Sequence, residues 1–285
     1  MKISFIGLGV MGYPMAGYLS KNGYDVCVYN RTTAKAENWV AEYSGRFCVT
    51  PAEAAVDSDI VMLCVGNDDD VRDVITGSHG VLKSMKPGSI IVDHTTASAT
   101  LAEEMAGLCQ SKGIGFIDAP VSGGQAGAEK GQLTIMCGGL DADFERALPA
   151  MQCFGKKVTL MGETGMGQKT KMVNQLLIAG LVQGLSEGIR FAMKSGLDID
   201  KVIDVIGGGA AQSWQLENRA KTMAEGKFDF GFAIDWMRKD LAICFAEAEK
   251  IGVDTPVAKL VDQFYEELQQ QGFNRYDTSS LIKRL

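Results

Sequence analysis

Histidine is almost missing from this chain of 285 residues: only His79 and His94 occur, and neither has a partner at metal-ligand spacing. That argues against a zinc site. The seven cysteines, at positions 27, 48, 64, 109, 137, 153 and 244, form no CxxC pair, and an odd number scattered through a large chain reads as reduced core thiols. Net positive charge is lacking too. With 28 Lys+Arg against 35 Asp+Glu, a formal charge of −7 and a pI near 5.0, the chain exerts no long-range pull on nucleic acid or anionic membrane. Any anion it binds is held by a local site. The opening MKISFIGLG enters a strand pattern at once, with no room for a leader's charged and apolar regions, so the mature chain is expected to start there. The longest apolar run, 176–185, contains Gln183 and follows Asn174 and Gln175; it reads as a buried helix, too short and polar for a membrane span. A cytoplasmic protein is expected.

What is present is a regular alternation. KISFI, DVCVY, DIVMLCV, SIIVD, GFIDA, LTIMC and KVTLM are strand candidates, and the segments 33–43, 97–111 and 141–153 between them have helical periodicity. This is the rhythm of βαβ units in an α/β domain with a mostly parallel sheet covered on both faces. After about Glu163 the strand signal stops, and helices are predicted over 167–195, 199–206, 213–226, 233–250 and 256–270. Two domains are expected, 1–163 and an all-helical 164–285, joined through the first of these helices. That helix is apolar nearly all round, with Gly180, Gly184 and Gly188 permitting close approach, so a second subunit is expected to complete its burial.

GLGVMG follows the first strand directly and leads into a helix with Pro14 in its first turn. In that place the glycines permit a tight turn and close backbone approach to a pyrophosphate at a helix N-terminus, which makes Gly7, Leu8, Gly9, Val10, Met11 and Gly12 a candidate dinucleotide turn. The second strand ends in YNRTT. Asn30 stands where NAD-binding folds usually carry an acid, and Arg31 with Thr32 suits a dianionic 2′-phosphate. NADP(H) is therefore favoured over NAD(H); the alternative is a polar turn in which Thr32 or Thr33 caps the next helix.

Three segments follow later strands: CVGNDDDV, with Val65, Gly66 and Asn67; VDHTTAS, with Thr96; and DAPVSGG, where Ser122 and the amides of Gly123 and Gly124 could hold a carboxylate. Turn chemistry alone also selects such residues, but their coincidence at strand ends, where open α/β sheets bind ligands, favours a site. GETGMGQKTKMVNQ (162–175) resembles a phosphate loop with Gln168 intruding, so that its lysine falls one place late. On a helix Lys171 and Asn174 lie about 60° apart, while Lys169 points about 160° away from Lys171, toward solvent.

GLGVMGYPMA, DHTTAS, DAPVSGG, GMGQKTKMVNQ and RKDLAI together cover almost the whole chain, in order, and the chain resembles the β-hydroxyacid dehydrogenase family. The resemblance implies a Rossmann domain, a long interdomain helix and a helical domain that dimerises, giving a homodimer or dimer-based tetramer. It implies Lys171 as catalytic lysine and Asn174, Ser122, Gly123, Thr96 and Lys239 as residues that orient the substrate, hold its carboxylate or border the nicotinamide. No proton shuttle is inferred from His94. Trp214, Phe232 and Trp236 are candidates for the pocket lining or for the core. The expected reaction is reduction of a small aldehyde acid with NADPH, Lys171 protonating the forming alkoxide. Alternatives are oxidation of 3-hydroxyisobutyrate or another 3-hydroxy acid, an imine or phosphogluconate-type reductase, and a non-catalytic NADP-binding protein.

Overall fold

The computed structural model describes residues 1–285. Nine strands, β1 to β9, run over Lys2–Ile6, Asp25–Tyr29, Arg46–Phe47, Ile60–Leu63, Ile90–Asp93, Gly115–Asp118, Val121–Ser122, Leu133–Gly139 and Gly155–Leu160. Seven helices accompany them: α1 Gly12–Lys21, α2 Thr33–Glu42, α3 Pro51–Ala55, α4 Asp68–Thr76, α5 Ala99–Gln110, α6 Gly124–Glu129 and α7 Asp141–Met151. α8, Met166–Lys194, is followed by α9 Ile199–Gly207, α10 Trp214–Ala224, α11 Ile234–Ile251 and α12 Pro256–Gln270. The chain folds as two compact units, Met1–Lys171 and Met172–Leu285.

In the first unit the strand order is β3-β2-β1-β4-β5-β6-β8-β7, with β9 paired to β8. The pairs from β3 to β6 are parallel, and β8 runs antiparallel to β6 and β7. All four residues of β4 and of β5 are buried, which explains their near-continuous apolar sequences: a central parallel strand is covered on both faces. Alternate residues serve opposite faces. Phe5, Ile60 and Met62 pack with Met15, Leu19 and Trp39 on one side, while Ile6, Val61 and Leu63 pack with Val71, Ile75 and Leu101 on the other. The chain reverses its winding between β1 and β4, and it is at such a point that the carboxyl ends of the strands leave room for a ligand.

The second unit centres on Ala179, Val182, Ile234, Met237, Leu241, Val261 and Tyr265, with a smaller cluster around Ile189, Leu216 and Met223. α8 corrects the sequence reading of its own polarity. At 29 residues it is long and apolar enough, by length and composition, to cross a membrane. Yet Gln175, Gln183 and Ser186 are buried in it, with side-chain bonds to Asp240, Glu187 and the Val182 carbonyl, the pattern of a helix inside a folded polar network. Its other face is bare: Val173, Leu177 and Leu181 are exposed. None of the seven cysteines is in a disulfide, and Cys27, Cys109, Cys137 and Cys244 are buried.

Candidate active site

β1 runs into GLGVMG at the carboxyl edge of the sheet. Gly7 has φ 97°, and a Cβ there would lie 2.3 Å from the Cys64 carbonyl oxygen; one on Gly12 would lie 2.0 Å from the Gly7 oxygen. Neither position admits a side chain. Gly9 is different, being exposed with nothing within 4 Å of a Cβ, so its bare backbone leaves space above the turn. No side chain caps α1, whose N-cap is Met11. The Tyr13 N–H goes to the Gly9 carbonyl at 3.0 Å and Pro14 has no N–H, but the positive end of the helix dipole meets no side-chain acceptor, and with the open backbone at Gly9 these residues fit a dinucleotide pyrophosphate.

Asn30 supports that turn from β2. Its Oδ1 accepts from the Leu8 N–H at 2.9 Å and its Nδ2 donates to the Thr32 carbonyl at 3.0 Å. Arg31 lies 3.3 Å from Asp70 with its own side chain 86% exposed. Thr32 occupies the N-cap of α2, but its hydroxyl makes no cap bond, so the capping reading is realised in position and not in chemistry.

At the ends of β4 and β5 much of the polar sequence is turn chemistry. Asn67, expected at the cofactor, is exposed and its Oδ1 caps α4 through the Asp70 N–H; Ser98 caps α5 and bonds both oxygens of Asp68. Val65 donates its N–H to Thr95 Oγ1 at 3.0 Å, beside half-buried Gly66 and Thr96. Asp93 accepts from the Thr95 N–H at 2.8 Å, but burial pushes its carboxyl up to about 7 against those bonds. His94 bonds the Ala119 carbonyl through Nδ1 at 2.8 Å and packs against the Phe5 and Phe154 rings; burial pushes it down to about 4. The ring is thus neutral and packed in an aromatic core.

Beyond β6 the chain enters β7, whose Ser122 is half-buried, and turns into α6 through Gly123 at φ 131° and Gly124 at φ 61°. The phosphate-loop look-alike lies near by. Gly162 and Gly165 take φ of 140° and 89°, and the turn they make wraps the carboxylate of Asp118: Oδ1 accepts from the Gly165 N–H at 2.7 Å and Oδ2 from the Gln168 N–H at 2.8 Å. Burial pushes this carboxyl up to about 6, opposed by the amides that point at it. A Cβ on Gly167 would lie 2.7 Å from Asp118 Oδ2 and 2.4 Å from the Met136 oxygen, which is why glycine stands there. One turn later comes Lys171, only 8% exposed. Lys169, expected in solvent, is half-buried.

In the second unit Asn174 donates through Nδ2 to Gln175 Oε1 at 2.7 Å, and Gln175 donates to Asp240 Oδ2 at 2.6 Å. The Lys239 ammonium lies 3.0 Å from Asp240 Oδ1, an ion pair set off the direct hydrogen-bond axis. Trp214 and Trp236 are 44% and 38% exposed, which removes the core alternative for both. Phe232 is half-buried against the core of its unit. Sequence reasoning did not anticipate the buried hydrogen-bond network of Asp93, Thr95, Asp118 and Gln168; the available signal was a carboxylate ending each of two apolar strands.

Residues 2–162 match the NAD binding domain of 6-phosphogluconate dehydrogenase, and residues 165–285 match the NAD-binding family of NADP-dependent 3-hydroxyisobutyrate dehydrogenase. The chain belongs to the β-hydroxyacid dehydrogenase family. The chain is 59% identical to an uncharacterized oxidoreductase of Shewanella frigidimarina, over 100% of this chain and 98% of that one. It is 33% identical to the 2-hydroxy-3-oxopropionate reductase of Escherichia coli K12, over 100% and 97%. The crystal structure of 3-hydroxyisobutyrate dehydrogenase from Salmonella typhimurium superposes with a TM-score of 0.89 at 29% identity, covering 100% of both chains. As a member of the family, the protein is an NAD(P)-dependent oxidoreductase acting on the CH–OH group of hydroxy acids.

Proposed function

We propose that this protein reduces a small semialdehyde or 2-oxo acid, of the glyoxylate and succinic semialdehyde class, to the hydroxy acid with NADP(H), Lys171 being the general acid. The observation that carries this reading is the burial of Lys171 one turn into α8, just after the buried Gln168 that bonds the residues on either side of Thr96. When bound at the Gly7–Gly12 turn, the dinucleotide supplies the hydride. Lys171, ordinarily an ammonium at neutral pH, polarises the carbonyl oxygen and protonates it as charge develops. The Ser122 hydroxyl and the Gly123 N–H hold the substrate carboxylate, Asn174 orients the substrate, and Thr96 and Lys239 border the nicotinamide.

NADP(H) is supported by the neutral Asn30 and by Arg31. A surface pair such as Arg31–Asp70 is worth only about 0–1 kcal/mol, so a 2′-phosphate dianion with bidentate geometry displaces it readily. The test is a panel of glyoxylate, succinic semialdehyde, methylmalonate semialdehyde and tartronate semialdehyde, each with NADPH and NADH. We expect kcat/KM at least about tenfold higher with NADPH, equivalent to about 1.4 kcal/mol. NADH preference throughout would overturn the Asn30–Arg31 reading, and cofactor binding without turnover would favour the non-catalytic alternative.

The proposed setting is the cytoplasm, and the proposed partner is a second copy of the chain. Val173, Leu177, Leu181 and Phe191 are exposed on α8 and fall within an arc of about 80°, with Gly184 and Gly188 open between them. A contiguous bare apolar stripe of this kind marks an interface. Sedimentation equilibrium should find a dimer or larger, and Leu177→Arg should shift it toward monomer; a monomeric wild type would remove this part of the proposal.

A further inference from the structure

Gln168 is the residue that spoils the phosphate-loop pattern, and its side chain is almost wholly buried at 1% exposure. Burying a primary carboxamide is costly unless its groups are paired. Here Oε1 accepts from the Ala97 N–H at 3.1 Å, and Nε2 donates to the Thr95 carbonyl at 2.7 Å. The two backbone groups flank a single residue, Thr96. One amide therefore grips the loop after β5 on both sides of that residue and ties it to the first turn of α8.

The same turn is fastened a second time. The backbone N–H of Gln168 goes to Asp118 Oδ2 and that of Gly165 to Oδ1, so a carboxylate at the end of β6 caps α8 from outside the helix. Hydrogen bonds to a charged group are stronger than those between neutral groups, and the helix dipole favours an anion at this end. Thr95 extends the chain of bonds to β4 by accepting from the Val65 N–H. The carboxyl ends of β4, β5 and β6 are thus bonded, through Thr95, Gln168 and Asp118, to one helical turn. Lys171 follows Gln168 at the i,i+3 position, where side chains on a helix are neighbours.

We propose that Gln168 is a positioning residue for Lys171: with Asp118 it fixes the first turn of α8 against the loop carrying Thr96, and so sets where the ammonium stands relative to that loop. The proposal rests on Lys171 as the proton donor. A displacement of about 1 Å in such a group costs about 100-fold in rate, so a clamp reaching over three strand ends has a direct catalytic consequence. A purely structural glutamine predicts something else: lower stability, with the surviving folded enzyme working at its normal rate and pH dependence.

The deciding experiment is a double-mutant cycle of Gln168→Ala, Lys171→Ala and the pair, assayed with each panel semialdehyde that the wild type reduces, alongside NADPH titration and melting curves. Gln168→Ala is expected to lower kcat by about 10–100-fold with KM within about threefold. In the Lys171→Ala background it should add less than about threefold, because a residue acting through another has nothing left to act on. A readout without substrate or cofactor is the ¹⁵N resonance of the Lys171 ammonium, whose titration midpoint should move by about half a unit or more in Gln168→Ala. Multiplicative losses, wild-type kcat in Gln168→Ala, or an unmoved midpoint would overturn the proposal while leaving Lys171 in its role. An active Lys171→Ala, or a wild type that reduces none of the panel, would instead overturn the reading on which it rests. Should the alanine variant not fold, Gln168→Met, which keeps the length of the side chain and loses both of its bonds without adding charge, serves the same comparison.

Discussion

Replacing Lys171 by alanine is expected to lower kcat by about 10²–10⁴-fold, the range for loss of a positioned general acid, while the affinity for NADPH stays within about threefold. The asymmetry follows from where the groups sit. The features that fit the dinucleotide belong to the turn after β1 and to Asn30 just beyond β2, whereas Lys171 comes from α8. Removing a proton donor used only as the carbonyl oxygen gains charge lowers kcat and kcat/KM together. A small primary amine in the buffer should restore part of the rate, since it can enter the space the side chain leaves. Stopped-flow measurement of NADPH oxidation checks both, with intrinsic fluorescence reporting cofactor binding; an alanine variant with wild-type turnover would remove Lys171 from the mechanism.

Within GLGVMG, two glycines should fail in different ways when replaced by alanine. At Gly7 the added methyl meets the Cys64 carbonyl oxygen at 2.3 Å and the backbone stands at φ 97°. Both penalties act on the folded state, so Gly7→Ala should lose about 3–5 kcal/mol and melt roughly 6–20 °C lower, if it folds at all. Gly9→Ala meets no neighbour and should keep the wild-type melting temperature within about 2 °C. Its methyl nevertheless occupies the open face above the turn, and NADPH should bind about tenfold or more weakly. Differential scanning calorimetry paired with fluorescence titration separates the two. Equal losses of stability in both variants, or unimpaired NADPH binding in Gly9→Ala, would contradict the reason assigned to each glycine.

The central strands were legible because a parallel strand covered on both faces has to be apolar throughout, and KISFI, IVML and IIVD announce themselves on that ground. β3 and β7 escaped notice: two residues carry no period. Helix ends drifted for a nameable reason, as at α5, where Ser98 caps from outside a helix expected to start at Ala97. The burial of Lys171 could be read from helix phase and the apolar character of the helix. Gln168 could not, since its two side-chain partners lie 71 and 73 residues away in sequence, and nothing local tells a buried clamp from a solvated glutamine. Lys169 misled for a related reason: helix phase gives direction along the cylinder but not what stands opposite.

Seen as host–guest chemistry, the turn from Gly162 to Gln168 is an anion receptor whose guest is covalently attached. Amides that a nucleotide-binding protein would offer to a diffusing phosphate are here offered to the carboxylate of Asp118. Tethering gives that guest an effective concentration set by the fold rather than by the cell, so free phosphate has no foothold from which to compete. The receptor is filled as the chain folds, and the anion that in a phosphate loop would be the cargo is in this protein part of the frame.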